Sequence, residues 1–329
     1  MKVKVGVVGL GFMGSAHARV YKKLKDCDLV AICDSDPTKQ QLAEAYGCRF
    51  CVDFEAFLEA DLDAVSVCTP TAMHKDFVMS ALERGKHVLV EKPFADSLKS
   101  GEAMAKKAVS VDKLLAVGYI ERFNSAVRRL KGVVDFSQIY STVSMRFGPF
   151  PPRTKYSGVF LDLASHEIDI LNYLTGVQPN VLYAHFSSNS DNGFEDYAYI
   201  SLKYGHIHSH IEASWLPNYK LRLINLYGNE RFYSLDYAQQ KLRAHRAPPK
   251  ANIENGSWDD ILWLSRHVEE EFAVSVSEPL VMELQCFLDS VKKNEVLDPL
   301  CTPKEALKVL KVTDCAFSTA KVQNNCDSA

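Results

Sequence analysis

The sequence predicts an α/β chain: an N-terminal doubly wound parallel sheet, then an α+β domain with a large, mostly antiparallel open sheet. Three observations carry this. Val3–Gly14 reads V-K-V-G-V-V-G-L-G-F-M-G, an apolar β-branched run that ends in spaced glycines. Apolar strands then alternate with helical stretches over about 120 residues, the pattern of a parallel sheet with crossover helices. Beyond Asn124, closely spaced alternating stretches with turn residues between them describe antiparallel strands.

The opening stretch has the order of a dinucleotide site: strand, glycine turn, helix start. Gly9 allows a tight turn, Gly11 lets backbone approach a pyrophosphate, and Gly14 lets helix and strand lie close. Ser15-Ala16-His17-Ala18 continues as a helix to about Lys23, whose N-terminus supplies free N–H groups for phosphate. The next strand, Leu29–Cys33, ends at Asp34, about twenty residues past the last glycine, where a ribose-binding acid belongs. A carboxylate there accepts from both ribose hydroxyls and repels a 2′-phosphate, so NAD is the expected cofactor and NADP the alternative.

Further along, Asp36-Pro37 caps and starts a helix, 49–52 reads as a short strand, and Phe54–Glu59 as a short helix. Asp63–Cys68 is a buried strand ending at Thr69-Pro70. His74–Glu83 is a helix closed by Gly85, and His87–Val90 a strand ending at Glu91-Lys92-Pro93. Leu98–Val109 is a helix leading to the strand Leu114–Val117. Ligands in such sheets sit at the carboxyl ends of strands, where Gly9, Asp34, Thr69-Pro70 and Glu91-Lys92 all fall. In the second half, Ile139–Phe147 is a strand, Gly148–Pro152 a rigid loop, and Val159–Leu174 a helix stopped by Gly176. Strands follow at Val181–Phe186, Tyr197–Tyr204, His206–Trp215 and Leu221–Tyr227. His245–Trp258 reads as irregular, Pro279–Val291 as an amphipathic helix, and Thr302-Pro303-Lys304-Glu305 as a capping box for a last helix to about Lys321. The tail, Val322–Ala329, reads as frayed.

Composition narrows the class. With 329 residues, 47% hydrophobic and 24% charged, the chain is long enough for about two domains and has the balance of a globular protein. A net charge of −3 without a basic block argues against nucleic-acid binding. No stretch approaches a membrane span. The run after Met1-Lys2 is too short for a secretion signal, contains Lys4, and passes straight into the glycine turn. Asn255-Gly256-Ser257 then reads as a loop and not a glycosylated site. The nine cysteines are scattered, and Cys48 and Cys51 lack the second pair a structural zinc site needs. They read as buried free thiols in a reducing cytoplasm.

Lys92 follows a strand of the first domain, stiffened by Pro93, with Glu91 able to offset its charge. Asp162, His166 and Asp169 fall at i, i+4 and i+7 of one helix, with Leu161, Ile168 and Leu171 on another flank. Residues alone leave two readings open: a polar, solvated helix face, or an acid–base group. Metal binding by the trio stays open as well. His206, His208 and His210 alternate along one strand and read as a face turned to solvent or to another subunit, while Ile207 and Ile211 face the core.

Together the motifs resemble the glucose–fructose oxidoreductase / inositol dehydrogenase (Gfo/Idh/MocA) family. The likeness rests on V-G-L-G-F-M-G at Val8–Gly14, C-T-P-T-A-M-H at Cys68–His74 and V-E-K-P at Val90–Pro93. It continues in G-Y-I-E-R-F-N at Gly118–Asn124, S-G-V-F-L-D-L-A-S-H-E-I-D at Ser157–Asp169, Leu226–Glu230 and the helix from Pro279. The resemblance implies a Rossmann dinucleotide-binding domain over 1–121. It implies a substrate-binding and oligomerisation domain over 122–329, with helix 303–321 able to return towards the first. It implies a catalytic group of Lys92, Asp162 and His166, which with Arg122 contacts substrate, and no metal. Its cofactor contacts are Gly9, Gly11, Phe12, Met13, Gly14, Asp34, Thr69, Pro70, His74, Glu91, Lys92 and Arg122. Where the family commonly has two glycines before the catalytic helix, Gly158 is followed here by Val159, which leaves less room for substrate. The implied activity is NAD-dependent oxidation of a secondary hydroxyl on a sugar or nucleotide sugar. The E-R-F-N variant resembles the nucleotide-sugar branch, such as UDP-N-acetylglucosamine 3-dehydrogenases. An inositol or free-sugar dehydrogenase and a non-catalytic NAD(P)-sensing regulator are the alternatives. Self-association as a homodimer or homotetramer through the second sheet is implied by the same resemblance.

Overall fold

The computed structural model describes residues 2–151, 157–190, 193–246, 258 and 268–327, with side chains described up to residue 320. Two compact units emerge: Met1–Phe123 with Ser277–Lys311, and Asn124–Val276 with Val312–Ala329.

The first unit follows the expected alternation: β1 (Val3–Val8), α1 (Phe12–Lys23), β2 (Cys27–Cys33), α2 (Gln40–Tyr46), β3 (Arg49–Cys51), α3 (Phe54–Leu58), β4 (Ala64–Val67), α4 (Thr71–Glu83), β5 (His87–Glu91), α5 (Leu98–Ser110) and β6 (Leu115–Gly118). All six strands pair in parallel, in the order β3-β2-β1-β4-β5-β6. The order reverses direction between β1 and β4, so a crevice opens beside the carboxyl end of β1, where the glycine turn lies. Strands buried on both faces account for the largely apolar β1, β4 and β5, interrupted only by Lys4, Ser66 and the His87 and Glu91 ends. Asp36 accepts from the Thr38 N–H as expected, but the residues it starts, Pro37–Lys39, form a 3-10 turn before α2.

In the second unit come α6 (Ser125–Val133), β7 (Ile139–Phe147), α7 (Ser165–Thr175), β8 (Asn180–Ser187), β9 (Tyr197–Tyr204), β10 (Ile207–Ser214), β11 (Leu221–Gly228), β12 (Arg231–Asp236), β13 (Lys241–Arg246) and β14 (Val268–Phe272). These form an eight-stranded sheet in the order β14-β13-β12-β11-β7-β10-β9-β8, antiparallel except for the β7–β10 pair. Phe160, Phe186 and Phe317 pack as tilted and edge-on rings with centroids 4.7–5.2 Å apart.

Two helices complete the chain, α8 (Pro279–Lys293) and α9 (Pro303–Asp327). Sequence reading ran the second domain continuously over 122–329. Instead Leu280, Leu284, Phe287 and Leu288 of α8 share one buried core with Val5, Leu29 and Ala116 of the first unit. The capping box forms in full: Thr302 N–H donates to Glu305 Oε2 at 2.9 Å and Glu305 N–H to Thr302 Oγ1 at 3.3 Å. The helix it starts continues to Asp327, past the expected end near Lys321 and into the tail read as frayed. Most of the irregular His245–Trp258 stretch, the Asn255-Gly256-Ser257 triplet and the Pro152 end of the 148–152 loop lie outside the described residues.

Candidate active site

Gly9 takes φ +84°, and a Cβ there would meet the Cys68 carbonyl oxygen at 2.7 Å, so β1 turns hard against the end of β4. Gly14 lies tighter still, with no room for a Cβ beside the Gly9 carbonyl. Gly11 is the opposite case. A Cβ built on it meets nothing within 4 Å, and no side chain caps α1, whose first turn carries no acid. The backbone N–H groups at that helix start therefore have no capping side chain, which suits an anion. Phe12 stands 79% exposed beside them, and Met13 is half-buried.

Asp34 follows β2 and is half-buried. One carboxylate oxygen accepts the Leu10 N–H at 2.5 Å and the other the Asp36 N–H at 2.9 Å. It thus braces the glycine turn as well as offering lone pairs to a ligand. Thr69, at the end of β4, keeps a buried hydroxyl oxygen without a hydrogen-bond partner. An open Gly11, an uncapped helix start and an orphaned Thr69 hydroxyl fit a bound dinucleotide.

His74 was expected to touch cofactor, but its ring is enclosed at 1% exposure and both nitrogens face backbone carbonyls. Nδ1 lies 3.0 Å from Pro93 O, and Nε2 lies 2.9 Å from Thr69 O. Neutral imidazole can donate to only one of them. Burial nonetheless pulls its pKa below the ordinary value, the carbonyls opposing only in part. His74 therefore ties the end of β4 to the segment after β5 and leaves Pro70, exposed at the start of α4, towards solvent.

Glu91 also differs from expectation. Its carboxylate is turned inward, 6% exposed, with Oε1 3.0 Å from His17 Nε2 of α1 and Oε2 accepting the Lys92 backbone N–H at 3.2 Å. Its side-chain partner is His17 of α1. Lys92 itself is half-buried at the carboxyl end of β5. Arg122, expected to bridge cofactor and substrate, is 1% exposed and donates to Glu305 Oε1 at 3.0 Å. Burial raises the Glu305 carboxyl, but Arg122 and the Thr302 donors outweigh it and hold the pKa low.

In the second unit the segment before α7 is not a straight α-helix. Phe160–Ala164 forms a π-helical turn, and such turns change the angular step between residues. The i, i+4 phase that aligned Asp162 with His166 does not carry through it. Asp162 is half-buried. His166 and Asp169 are 5% and 1% exposed, and every residue from Ser165 to Leu174 is buried. The solvated-face reading is thereby removed. Val159 is fully buried too. Glu195, which the sequence did not single out, has its carboxylate where a Gly158 Cβ would stand, with Oε1 accepting Phe160 N–H at 3.3 Å. Burial raises its pKa. Beneath α7, Arg146 of β7 donates to Glu167 Oε1 at 3.3 Å and to Tyr237 OH at 3.1 Å, and Tyr237 donates to the same Glu167 oxygen. His206 and His208 are exposed, and His210 meets Tyr199 OH at 2.9 Å. Among the described residues no group of three His, Cys, Asp or Glu side chains is placed to hold a metal, and no helix is long and apolar enough to cross a membrane.

The family model described as an oxidoreductase family with an NAD-binding Rossmann fold matches residues 3–119, and that of the GFO/IDH/MocA C-terminal domain matches 135–233. The chain belongs to the GFO/IDH/MocA oxidoreductase family. Its first unit is the NAD-binding Rossmann domain of that family. A UDP-N-acetylglucosamine 3-dehydrogenase of Acidithiobacillus ferrooxidans is 28% identical over 292 residues, 88% of this chain and 88% of the relative. A scyllo-inositol 2-dehydrogenase (NAD(+)) of Bacillus subtilis is 32% identical over 197 residues, 56% of this chain and 57% of its own. A solved structure of a UDP-N-acetylglucosamine 3-dehydrogenase from Acidithiobacillus ferrooxidans superposes with a TM-score of 0.84 at 24% identity, covering 97% of each chain.

Proposed function

We propose that this oxidoreductase oxidises a secondary hydroxyl of a sugar or nucleotide sugar, with Lys92, Asp162 and His166 as its catalytic group. The observation that carries the reading is the position of Lys92. It leaves β5 at the same sheet end where Gly9 leaves β1, Asp34 leaves β2 and Thr69 follows β4. Bound NAD supplies the hydride acceptor. His166 takes the hydroxyl proton, and Asp162 orients and electrostatically supports the imidazole. Lys92 donates a hydrogen bond to the oxygen as negative charge develops there. A positioned acid–base group contributes about 10²–10⁴-fold, and a preorganised donor at the charged oxygen a comparable amount.

A nucleotide sugar is favoured over inositol because the UDP-N-acetylglucosamine relative matches along 88% of both chains, whereas the scyllo-inositol relative matches little more than half. The same reading extends to a homodimer or homotetramer. Alternate residues of β7, including Val143, Met145 and Phe147, remain half-buried on one sheet face, while Thr142, Ser144 and Arg146 are buried on the other. The eight described cysteines are free thiols, which suits a reducing cytoplasm.

The test is absorbance of reduced cofactor with a panel of UDP-N-acetylglucosamine, other nucleotide sugars, free sugars and inositols. Turnover of a nucleotide sugar, lost by orders of magnitude in His166→Ala with NAD⁺ binding retained, is the expected outcome. NAD⁺ binding without turnover of any member overturns it in favour of a cofactor-sensing regulator. Near-normal turnover of His166→Ala removes the residue from the mechanism.

A further inference from the structure

His17 is the sixth residue of α1, the helix that begins at the glycine turn, and it is 0% exposed. Its neighbours on the buried face of α1 are Gly14, Ala18, Val20 and Tyr21, with the Tyr21 ring edge-on at 6.2 Å. A histidine in that setting has to earn its place through a polar contact. It makes one: Nε2 lies 3.0 Å from Glu91 Oε1, while Nδ1 is buried without a hydrogen-bond partner. Glu91 divides its two oxygens between different duties. Oε1 meets His17, and Oε2 accepts the backbone N–H of Lys92 at 3.2 Å. Gly118 on β6 makes room, since a Cβ there would come within 3.1 Å of Glu91 Oε1.

Stability alone does not explain this pair. Replacing a buried ionic or strongly polar pair by apolar residues of similar volume is often neutral or stabilising. Its connections give it another use. One end sits on the helix whose first turn faces the dinucleotide, and the other holds the backbone of Lys92. A reactive side chain is useful only when a supporting layer fixes its position within about 0.5 Å.

We propose that His17 is a positioning residue: its imidazole holds the Glu91 carboxylate, and Glu91 holds the Lys92 backbone, so the dinucleotide helix and the lysine are set in register by one buried hydrogen-bond chain. The inference rests on the catalytic reading of Lys92, and its test separates the two.

The variants are His17→Leu, which removes both nitrogens, His17→Gln, which retains a donor of similar reach, Lys92→Ala, and the double variant His17→Leu/Lys92→Ala. The first readout needs no cofactor: hydrogen exchange of the Lys92 amide in the unliganded protein, clean because Pro93 has none. His17→Leu should accelerate it by about tenfold or more, as expected when a local hydrogen bond is released, and His17→Gln should leave it near wild type. NAD⁺ affinity, read by titration calorimetry, should stay within about threefold in both, a change of under 1 kcal/mol. Turnover on the best panel substrate should fall on the order of 10–100-fold in His17→Leu through kcat and not KM, as loss of an outer supporting partner commonly does. His17→Gln should recover most of it, and Lys92→Ala should lose nothing further when His17→Leu is added. Unchanged amide exchange in His17→Leu overturns the proposal, as do equal losses in Leu and Gln or losses that multiply in the double variant. Near-normal turnover of Lys92→Ala, with the amide exchange shifted as expected, overturns the catalytic reading of Lys92 and leaves the hydrogen-bond chain standing.

Discussion

A Cβ built on Gly14 would stand 1.7 Å from the carbonyl oxygen of Gly9, whereas one built on Gly11, between them, would touch nothing within 4 Å. The three glycines of one motif therefore do separable work. Gly9 and Gly14 let the chain turn and the helix close on the strand, and Gly11 keeps a volume open. Gly14→Ala must push α1 away from β1, an overpacking whose cost is typically about 1–3 kcal/mol, with NAD⁺ binding lost as well. Gly11→Ala should keep the wild-type urea midpoint and still lose NAD⁺ affinity by at least tenfold, about 1.4 kcal/mol. Paired denaturation and calorimetry decide it: a Gly11→Ala protein that binds NAD⁺ normally shows that the open volume is not the dinucleotide's.

Asp34 accepts the Leu10 and Asp36 N–H groups, and the ribose contact proposed for it would be a second load. Asp34→Ser should weaken NAD⁺ on the order of tenfold or more and raise the NADP⁺/NAD⁺ affinity ratio, since the repulsion of a 2′-phosphate goes with the carboxylate. Asp34→Asn separates the loads. It retains a carbonyl acceptor for the Leu10 N–H, so its thermal midpoint should exceed that of Asp34→Ser while the cofactor preference still relaxes. Equal NADP⁺/NAD⁺ ratios in wild type and both variants would falsify the ribose role.

The parallel alternation of the first sheet, the helix beginning at the glycine turn and the Thr302 capping box were legible because each has a local signal: periodicity, spaced glycines, a Thr-x-x-Glu pattern. The roles of Glu91, Arg122 and His74 were not. Which way a side chain turns at a strand end depends on what the neighbouring element offers, and His17, Glu305 and the carbonyls of Thr69 and Pro93 lie 5 to 183 positions away in sequence. The π-helical turn at Phe160–Ala164 was hidden for a related reason. Its sequence, F-L-D-L-A, is compatible with an ordinary helix, and no proline or glycine within it marks the change. Strands β12 to β14 escaped because Arg, Lys and Glu at their exposed positions weaken the alternation that betrays a strand. His17 had one clue, a histidine on an otherwise apolar helix face, but nothing local named Glu91 as its partner.

Histidine burial gives the protein an acid-side weakness. Burial lowers the pKa of His74 and, with Lys113 beside it, that of His87, whose Nδ1 accepts the Leu114 N–H at 3.1 Å. Each binds a proton more readily unfolded, near the ordinary imidazole value of about 6.5. Below that value the unfolded chain holds more protons than the folded one, so stability falls as pH drops and is fully present above it. From pH 7.5 to 5.5 the unfolding free energy should decline with a limiting slope of about 1.4 kcal/mol per pH unit per histidine. His87→Asn should flatten the curve by one such contribution. An identical pH slope in wild type and His87→Asn, measured by urea titration, rules this histidine out as a source.

The helix bearing His166 is held to its sheet by a buried charge. Arg146, 4% exposed, and Tyr237, 1% exposed, both engage one oxygen of Glu167, which is 0% exposed and adjoins His166 in sequence. Arg146→Met removes the cation and leaves Glu167 in a low-dielectric interior, an arrangement that typically costs about 3–5 kcal/mol. Arg146→Met/Glu167→Gln takes away the stranded charge while keeping an acceptor for the Tyr237 hydroxyl, so it should regain most of that loss. Tyr237→Phe removes only a hydroxyl and should cost about 1.5–3 kcal/mol, the range for a hydrogen bond to a charged group. Because Glu167 is next to His166, a tilt of α7 in Arg146→Met should lower kcat more than it alters KM. The informative comparison is the double variant: if it is as unstable as Arg146→Met, the arginine acts by filling space and not by neutralising Glu167.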